Sequence, residues 1–140
     1  MIFSYEPSAI NNQDRFGYED LEVWQKAIDW ASAIVSLCND LETERRHYRL
    51  IEQLESVCSS VAMNIAEGKG RYSQKEFIQF LYVARGSLYE AVTLLEIFLK
   101  QGWTSKDKFT KLKDEAKEIA KMLNSLINSI KNSRAMNHQP

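Results

Sequence analysis

Proline is almost missing from this chain: Pro7 and Pro140 lie near its ends, leaving residues 8 to 139 without the strongest helix breaker. Glycine is scarce as well, at five residues in 140, and together these shortages favour an all-helical fold. Cysteine is limited to Cys38 and Cys58, with no C-x-x-C pair. Both fall on apolar lines of expected helices and read as small core residues in a reducing compartment, a structural disulfide being the lesser option. Histidine stops at His47 and His138, neither in an expected helix core, so no Ser or Cys has a plausible imidazole partner and catalysis is not supported. No apolar run nears the roughly 20 residues of a membrane span. The segment Met1 to Glu6 lacks the basic start and apolar run of a signal peptide. The expected location is cytoplasmic, away from membranes.

What is present is enough apolar sequence, 44%, for one ordinary soluble domain. The net charge of −1 is unevenly placed. Residues 1 to 44 carry nine acids and two bases, residues 45 to 68 three of each, and residues 69 to 140 seven acids and thirteen bases. A basic second half suits an acidic partner or nucleic acid. Attraction between the two halves, within a bundle or between subunits, accounts for the asymmetry at least as well.

Residues 1 to 18 show no sustained period and read as a flexible arm. Helix 1 is expected over Glu19 to Leu41, with Trp24, Ile28, Ala31, Val35 and Cys38 as its core line and Ala27, Ile34 and Leu41 beside it. Glu42 to Arg49 interrupts the stripe, as a short connection or as part of one long helix. Helix 2 then runs to about Glu67 through Leu50, Leu54, Val57 and Val61, and the same line continues to Asn64. An amide there needs its hydrogen bonds satisfied, and a register-fixing polar contact is the simplest reading.

Gly68 suits a left-handed C-terminal cap. Ser73-Gln74-Lys75-Glu76 matches a capping box, which makes helices 2 and 3 antiparallel neighbours across a short turn. Helix 3 has the cleanest seam: Phe77, Leu81, Ala84, Leu88, Ala91, Leu95 and Phe98. It also carries Ile78, Phe80, Tyr82 and Tyr89 off that seam, so it is apolar on more sides than one bundle can cover. These four residues are therefore candidates for a subunit interface. Gly86, costly in a helix interior, fits a place where another helix comes close.

Gly102 ends helix 3, and Thr104-Ser105-Lys106-Asp107 offers a second capping box. Helix 4 repeats Phe109, Leu112, Ala116, Ile119, Leu123, Leu126 and Ile130, flanked by a stripe of Lys106, Lys113, Lys117 and Lys121. The bundle is expected to close at residue 131, with 132 to 140 as a flexible tail. Four such helices with short connections predict an up-down-up-down four-helix bundle, antiparallel and left-handed.

Bundles can hold paired iron through two Glu-x-x-His motifs, but Glu44-Arg45-Arg46-His47 stands alone, so no metal or cofactor is expected. Gly68-Lys69-Gly70 lacks the spacing of a phosphate loop and follows no strand. At the same corner, Lys69, Arg71, Tyr72 and Lys75 mix cations with an aromatic ring, which suits phosphate contact and base stacking. A solvated turn with ordinary surface cations, and Glu67 pairing with one of them, is the plainer account.

The run Asp20-Leu21-Glu22-Val23-Trp24-Gln25-Lys26-Ala27, then Gln53-Leu54, Asn64-Ile65-Ala66-Glu67-Gly68 with Gly70-Arg71, Lys75-Glu76-Phe77, Phe80-Leu81, Ala84 and Gly86-Ser87-Leu88, is specific in order and spacing. It closely resembles the four-helix-bundle proteins encoded in intervening sequences of bacterial 23S rRNA genes, often labelled S23 ribosomal proteins. The resemblance covers roughly residues 18 to 103. It implies a small bundle assembling as a homo-oligomeric ring, commonly a homopentamer, with no established enzymatic activity, and it marks Asn64, Glu67, Gly68, Gly70 and Gly86 as family-motif positions. The chain is also similar to accessory proteins of diversity-generating retroelements, which form basic rings that contact reverse transcriptase and nucleic acid. Two departures stand out. Glu55 and Ser56 replace two arginines usual after Gln53-Leu54, which weakens a nucleic-acid role for helix 2, and Ala62 replaces the usual Pro. The functional expectation is a non-enzymatic scaffold that binds RNA or DNA, the alternative being a protein-interaction module for a reverse transcriptase.

Overall fold

The computed structural model describes residues 14–41 and 47–137. After a 3-10 turn at Gly17–Asp20 come four helices: α1 (Glu22–Asn39), α2 (Tyr48–Lys69), α3 (Gln74–Lys100) and α4 (Lys106–Asn137). The described residues contain no strand, and the expected all-α four-helix bundle is what they form. Each helix packs against two neighbours: α2 on α1 and α3, α4 on α3 and α1. Advancing along one member of a pair means retreating along the other. Gly68 meets Phe77 and Phe80 while Ser60 meets Ser87; Trp30 meets Leu112 while Lys26 meets Glu118; Tyr82 meets Lys131 while Arg85 meets Asn124.

Residues 1–13 of the expected arm, 138–140 of the expected tail, and Glu44 of the lone Glu-x-x-His motif lie outside the described residues. Residues 14–20 pack on the bundle. Phe16 stacks on Tyr18, which tilts against Trp24, with centroid separations of 5.6 and 5.1 Å.

All seven seam residues of α3 are buried, so its heptad pattern points inward as expected. The phase of α1 is different from the expected one. Its core residues are Val23, Ala27, Trp30, Ala31, Ile34, Leu37 and Cys38, whereas Ile28 is 41% exposed and Trp24 half-buried. The cause is Trp30: its large ring gains most from burial, and its indole N–H finds an acceptor in the Leu112 carbonyl at 3.0 Å. In α4 the inward position falls on Ile127, with Leu126 half-buried beside it. Cys38 and Cys58 are buried free thiols, as their apolar settings suggested.

The ends of the helices follow different rules. α3 closes on Gly102, at φ +75°, with the Trp103 amide donating to the Phe98 carbonyl at 2.9 Å. This left-handed cap is the arrangement that favours glycine. α2 does not close that way. Gly68 lies inside the helix and Gly70 takes right-handed helical angles, φ −80° and ψ −5°. Gly68 serves close packing instead, since a Cβ there would sit 2.6 Å from the Phe80 Cβ and 3.0 Å from Phe77 Cδ1. Ser73 caps α3 by accepting from the Glu76 amide at 3.1 Å, and its hydroxyl also lies 3.3 Å from the Glu76 carboxylate. At α4 the cap is Ser105, which accepts from the Lys108 amide at 3.2 Å, rather than Thr104.

Candidate functional site

The α2–α3 corner holds its cations in structural contacts. Arg71 donates to the Glu67 carboxylate at 2.6 Å and lays its guanidinium over the Phe80 ring at 4.7 Å. Lys69 places its ammonium 5.8 Å from the centroid of Phe77 and runs its stem past Gly17. Both side chains thereby cover the aromatic pair on which Gly68 packs. Tyr72 and Lys75 are exposed, and Tyr72 is fully so. The four residues share a corner, but two of its cations are already engaged.

Asn64 is half-buried on the side of α2 that faces α3. Its amide donates to the Ser60 carbonyl at 2.7 Å and the Ser60 hydroxyl at 2.9 Å, and Ser60 in turn meets the buried Ser87 hydroxyl at 2.9 Å. A polar chain thus crosses the α2–α3 interface with its donors satisfied. It explains Asn64 as architecture.

The four expected interface residues of α3 separate. Ile78 is a correction: it is 6% exposed and belongs to the subunit's own core. Phe80 is half-buried under Arg71. Tyr82 and Tyr89 are exposed and, two turns apart, stand on one side of α3, the side that meets α4. Val83, Gly86 and Ile97 are exposed as well, and Gly86 lies one turn from both Tyr82 and Tyr89. A Cβ on Gly86 would meet nothing within 4 Å, so no helix of this subunit supplies the close approach expected there.

Around Tyr82 and Tyr89 the structure gathers cations from two helices. Lys131 donates to the Tyr82 hydroxyl at 2.6 Å, and Lys131 and Arg85 sit 5.2 and 4.9 Å from its ring centroid. Those two charges hold the Tyr82 phenol below its ordinary pKa, the Lys131 hydrogen bond contributing most. Arg85 also donates to Asn124 at 2.8 Å. Beyond it lie Tyr89 and the lysine stripe, where Lys113 is half-buried beside Phe109 and Lys117 and Lys121 are exposed. None of these three lysines forms an ion pair among the described residues. Lys106 is exposed near the start of the same helix.

The acids of α4 flank the stripe. Glu118 is paired with Lys26 of α1, which lowers the carboxyl pKa and raises that of the ammonium, and Lys121 lies near enough to Glu118 to lower its carboxyl pKa further. Among the described residues, the ion pairs are Arg15–Asp20, Lys26–Glu118 and Glu67–Arg71. Among the described residues the one pair that joins the acidic first part to the basic last part is Lys26–Glu118, where the base comes from the acidic part and the acid from the basic part. Periodicity along single helices does not mark Arg85, Asn124 and Lys131 as members of this surface. The antiparallel pairing of α3 with α4 was the available signal, because it brings residues 82 and 131, and 85 and 124, to the same level.

No group of three or more His, Cys, Asp or Glu side chains suited to a metal ion occurs among the described residues. His47 rests against Trp103, ring centroids 4.5 Å apart. No described helix is long and apolar enough to cross a membrane.

Comparison with known proteins fits this architecture. A crystal structure of a protein of unknown function from the S23 ribosomal protein family of Bacteroides thetaiotaomicron VPI-5482 matches with a TM-score of 0.70 and 26% identity, covering 75% of this chain and 97% of that one. No curated protein matches. The profile of the 23S rRNA-intervening sequence proteins matches residues 19–125, reaching into all four helices. The chain belongs to the 23S rRNA-intervening sequence protein family.

Proposed function

We propose that this protein is a non-enzymatic, homo-oligomeric scaffold that binds RNA or DNA through the basic surface of α3 and α4. The observation that carries the reading is the set of Lys113, Lys117 and Lys121, left without ion pairs among the described residues and joined across the helix junction by Arg85 and Lys131. Phosphates supply the complementary charge, and their neutralisation releases counterions. Both thiols are buried and protonated, which suits a binding protein better than a nucleophilic enzyme.

The test is salt-titrated binding of the purified protein to RNA and DNA. Affinity falls steeply as salt rises, and changing Lys113, Lys117 and Lys121 together to Gln flattens that dependence by about 0.7 to 0.9 in log–log slope for each phosphate no longer neutralised. Absence of binding even at low salt overturns the reading.

The exposed Val83, Gly86 and Ile97, with Glu90 between them, support assembly, because they leave apolar and small side chains facing solvent on the helix that supplies the most buried residues to the core. A homopentameric ring is the form proposed. Light scattering at micromolar concentration reads the mass directly, and a 16.2 kDa monomer overturns the oligomer. The same face would then serve a different protein, such as a reverse transcriptase.

A further inference from the structure

Between α3 and α4 lies a small groove of about 180 Å³. Its walls are Leu88, Tyr89, Val92, Ala116 and Ala120, with Lys113 and Lys117 at the rim. Typical small-molecule pockets start near 300 Å³, so this one suits a single flat ring system and not a larger metabolite. Ala116 and Ala120 keep the α4 side low, and Tyr89, 53% exposed, stands along the other.

We propose that this groove holds one unpaired nucleobase against Tyr89, with the phosphodiester on either side lying along Lys113, Lys117 and Lys121. The inference rests on the nucleic-acid reading above and deepens it from phosphate attraction to single-strand selectivity. Three features select this occupant. The groove is apolar where a ring would lie, and Lys113 and Lys117 line it, with the Lys113 ammonium set over Phe109, one turn away on α4. The lysines recur every four residues, about 6 Å of helix rise, and form a line that a flexible strand can follow. Tyr89 is also available: among the described residues its ring meets no other ring or cation and its hydroxyl makes no hydrogen bond, whereas Tyr82 is occupied by Lys131 and Arg85. Half-buried Glu96, two turns past Tyr89 on the same side of α3, bounds the basic run at one end.

The experiment measures binding of full-length protein to labelled 12-residue oligo-U and oligo-dT, and to a duplex of equal length, at one fixed salt concentration. Tyr89→Phe keeps the ring; Tyr89→Leu keeps apolar bulk without an aromatic face, at an exposed position where the fold tolerates it, as a thermal melt verifies. The expected result is tighter binding of single strands than of duplex, unchanged by Tyr89→Phe and weakened about tenfold by Tyr89→Leu. Duplex affinity and the salt slope stay the same in Tyr89→Leu. Lysine-dependent binding that ignores Tyr89→Leu, or that favours duplex, overturns the base site and leaves the phosphate-binding reading standing. Failure to bind any nucleic acid removes both. Displacement of the oligonucleotide by a Glu/Tyr copolymer in a Tyr89-dependent manner, at equal charge concentration, reassigns the groove to an acidic aromatic peptide and also overturns the proposal.

Discussion

A Cβ placed on Gly68 would come within 2.6 Å of the Cβ of Phe80. The contact is between a helix backbone and the root of a side chain on the next helix, and neither can swing away. Gly68→Ala therefore forces α2 and α3 apart. Overpacking at about 1–3 kcal/mol opposes the gain of about 1 kcal/mol in helix propensity, so a net loss of up to about 2 kcal/mol is expected in urea unfolding. Gly70→Ala is the control: its Cβ would meet the Glu67 and Ala66 carbonyls at 3.6 and 3.8 Å, with φ already negative. It leaves stability unchanged or raises it by up to about 1 kcal/mol.

Gly86→Ala separates folding from assembly. With open space around the new methyl, the substitution raises the stability of the subunit by up to about 1 kcal/mol. If copies meet across the Val83, Gly86 and Ile97 line, the same methyl weakens their association. Light scattering over a dilution series, paired with thermal melts, reads the two effects with opposite signs. A variant that melts higher and assembles equally well places the subunit contact elsewhere.

Trp30 joins α1 to α4 through its indole N–H and the Leu112 carbonyl. Trp30→Phe removes that bond while keeping most of the apolar contact, and an expected loss of about 1–2 kcal/mol combines the hydrogen bond with the smaller ring. Trp30→Ala costs about 3–5 kcal/mol. Ile28→Ala, on the residue whose periodicity is just as good but whose side chain is 41% exposed, costs far less.

Burial raises the thiol pKa of Cys38 to about 12 and that of Cys58 to about 11. Unfolded thiols titrate near 8.5. Above that value the native state holds protons that the unfolded state has lost, so this contribution to stability is complete below about pH 8 and declines as pH rises toward 11 to 12. Denaturation midpoints measured from pH 7 to 10 fall more steeply for the native sequence than for a Cys38→Ala/Cys58→Ala variant. A thiol-specific reagent at pH 8 labels neither residue until the chain unfolds.

The α2–α3 corner shows why a cluster of charges in sequence is a weak guide to a binding surface. Lys69 and Arg71 are adjacent to a tight helix junction, and the aromatic rings packed there give their cations something to cover. The lysine stripe of α4 was legible because four residues recur on one side of a helix. Its partners on α3 were not, because membership in a shared surface depends on the level at which two helices pair.

The sequence by itself determined that four helices form, where α3 and α4 are capped by Ser73 and near Ser105, and which seam of α3 points inward. Those features depend on local hydrogen bonding and a period of 3.6 residues, both of which are written in neighbouring positions. Only the tertiary structure decided that Trp30 and not Ile28 faces the core, that Gly68 permits close approach instead of ending a helix, and that Tyr82 and Tyr89 stand among the cations of α3 and α4. Each of these depends on which atoms another helix brings near, and no periodicity within a single helix contains that information.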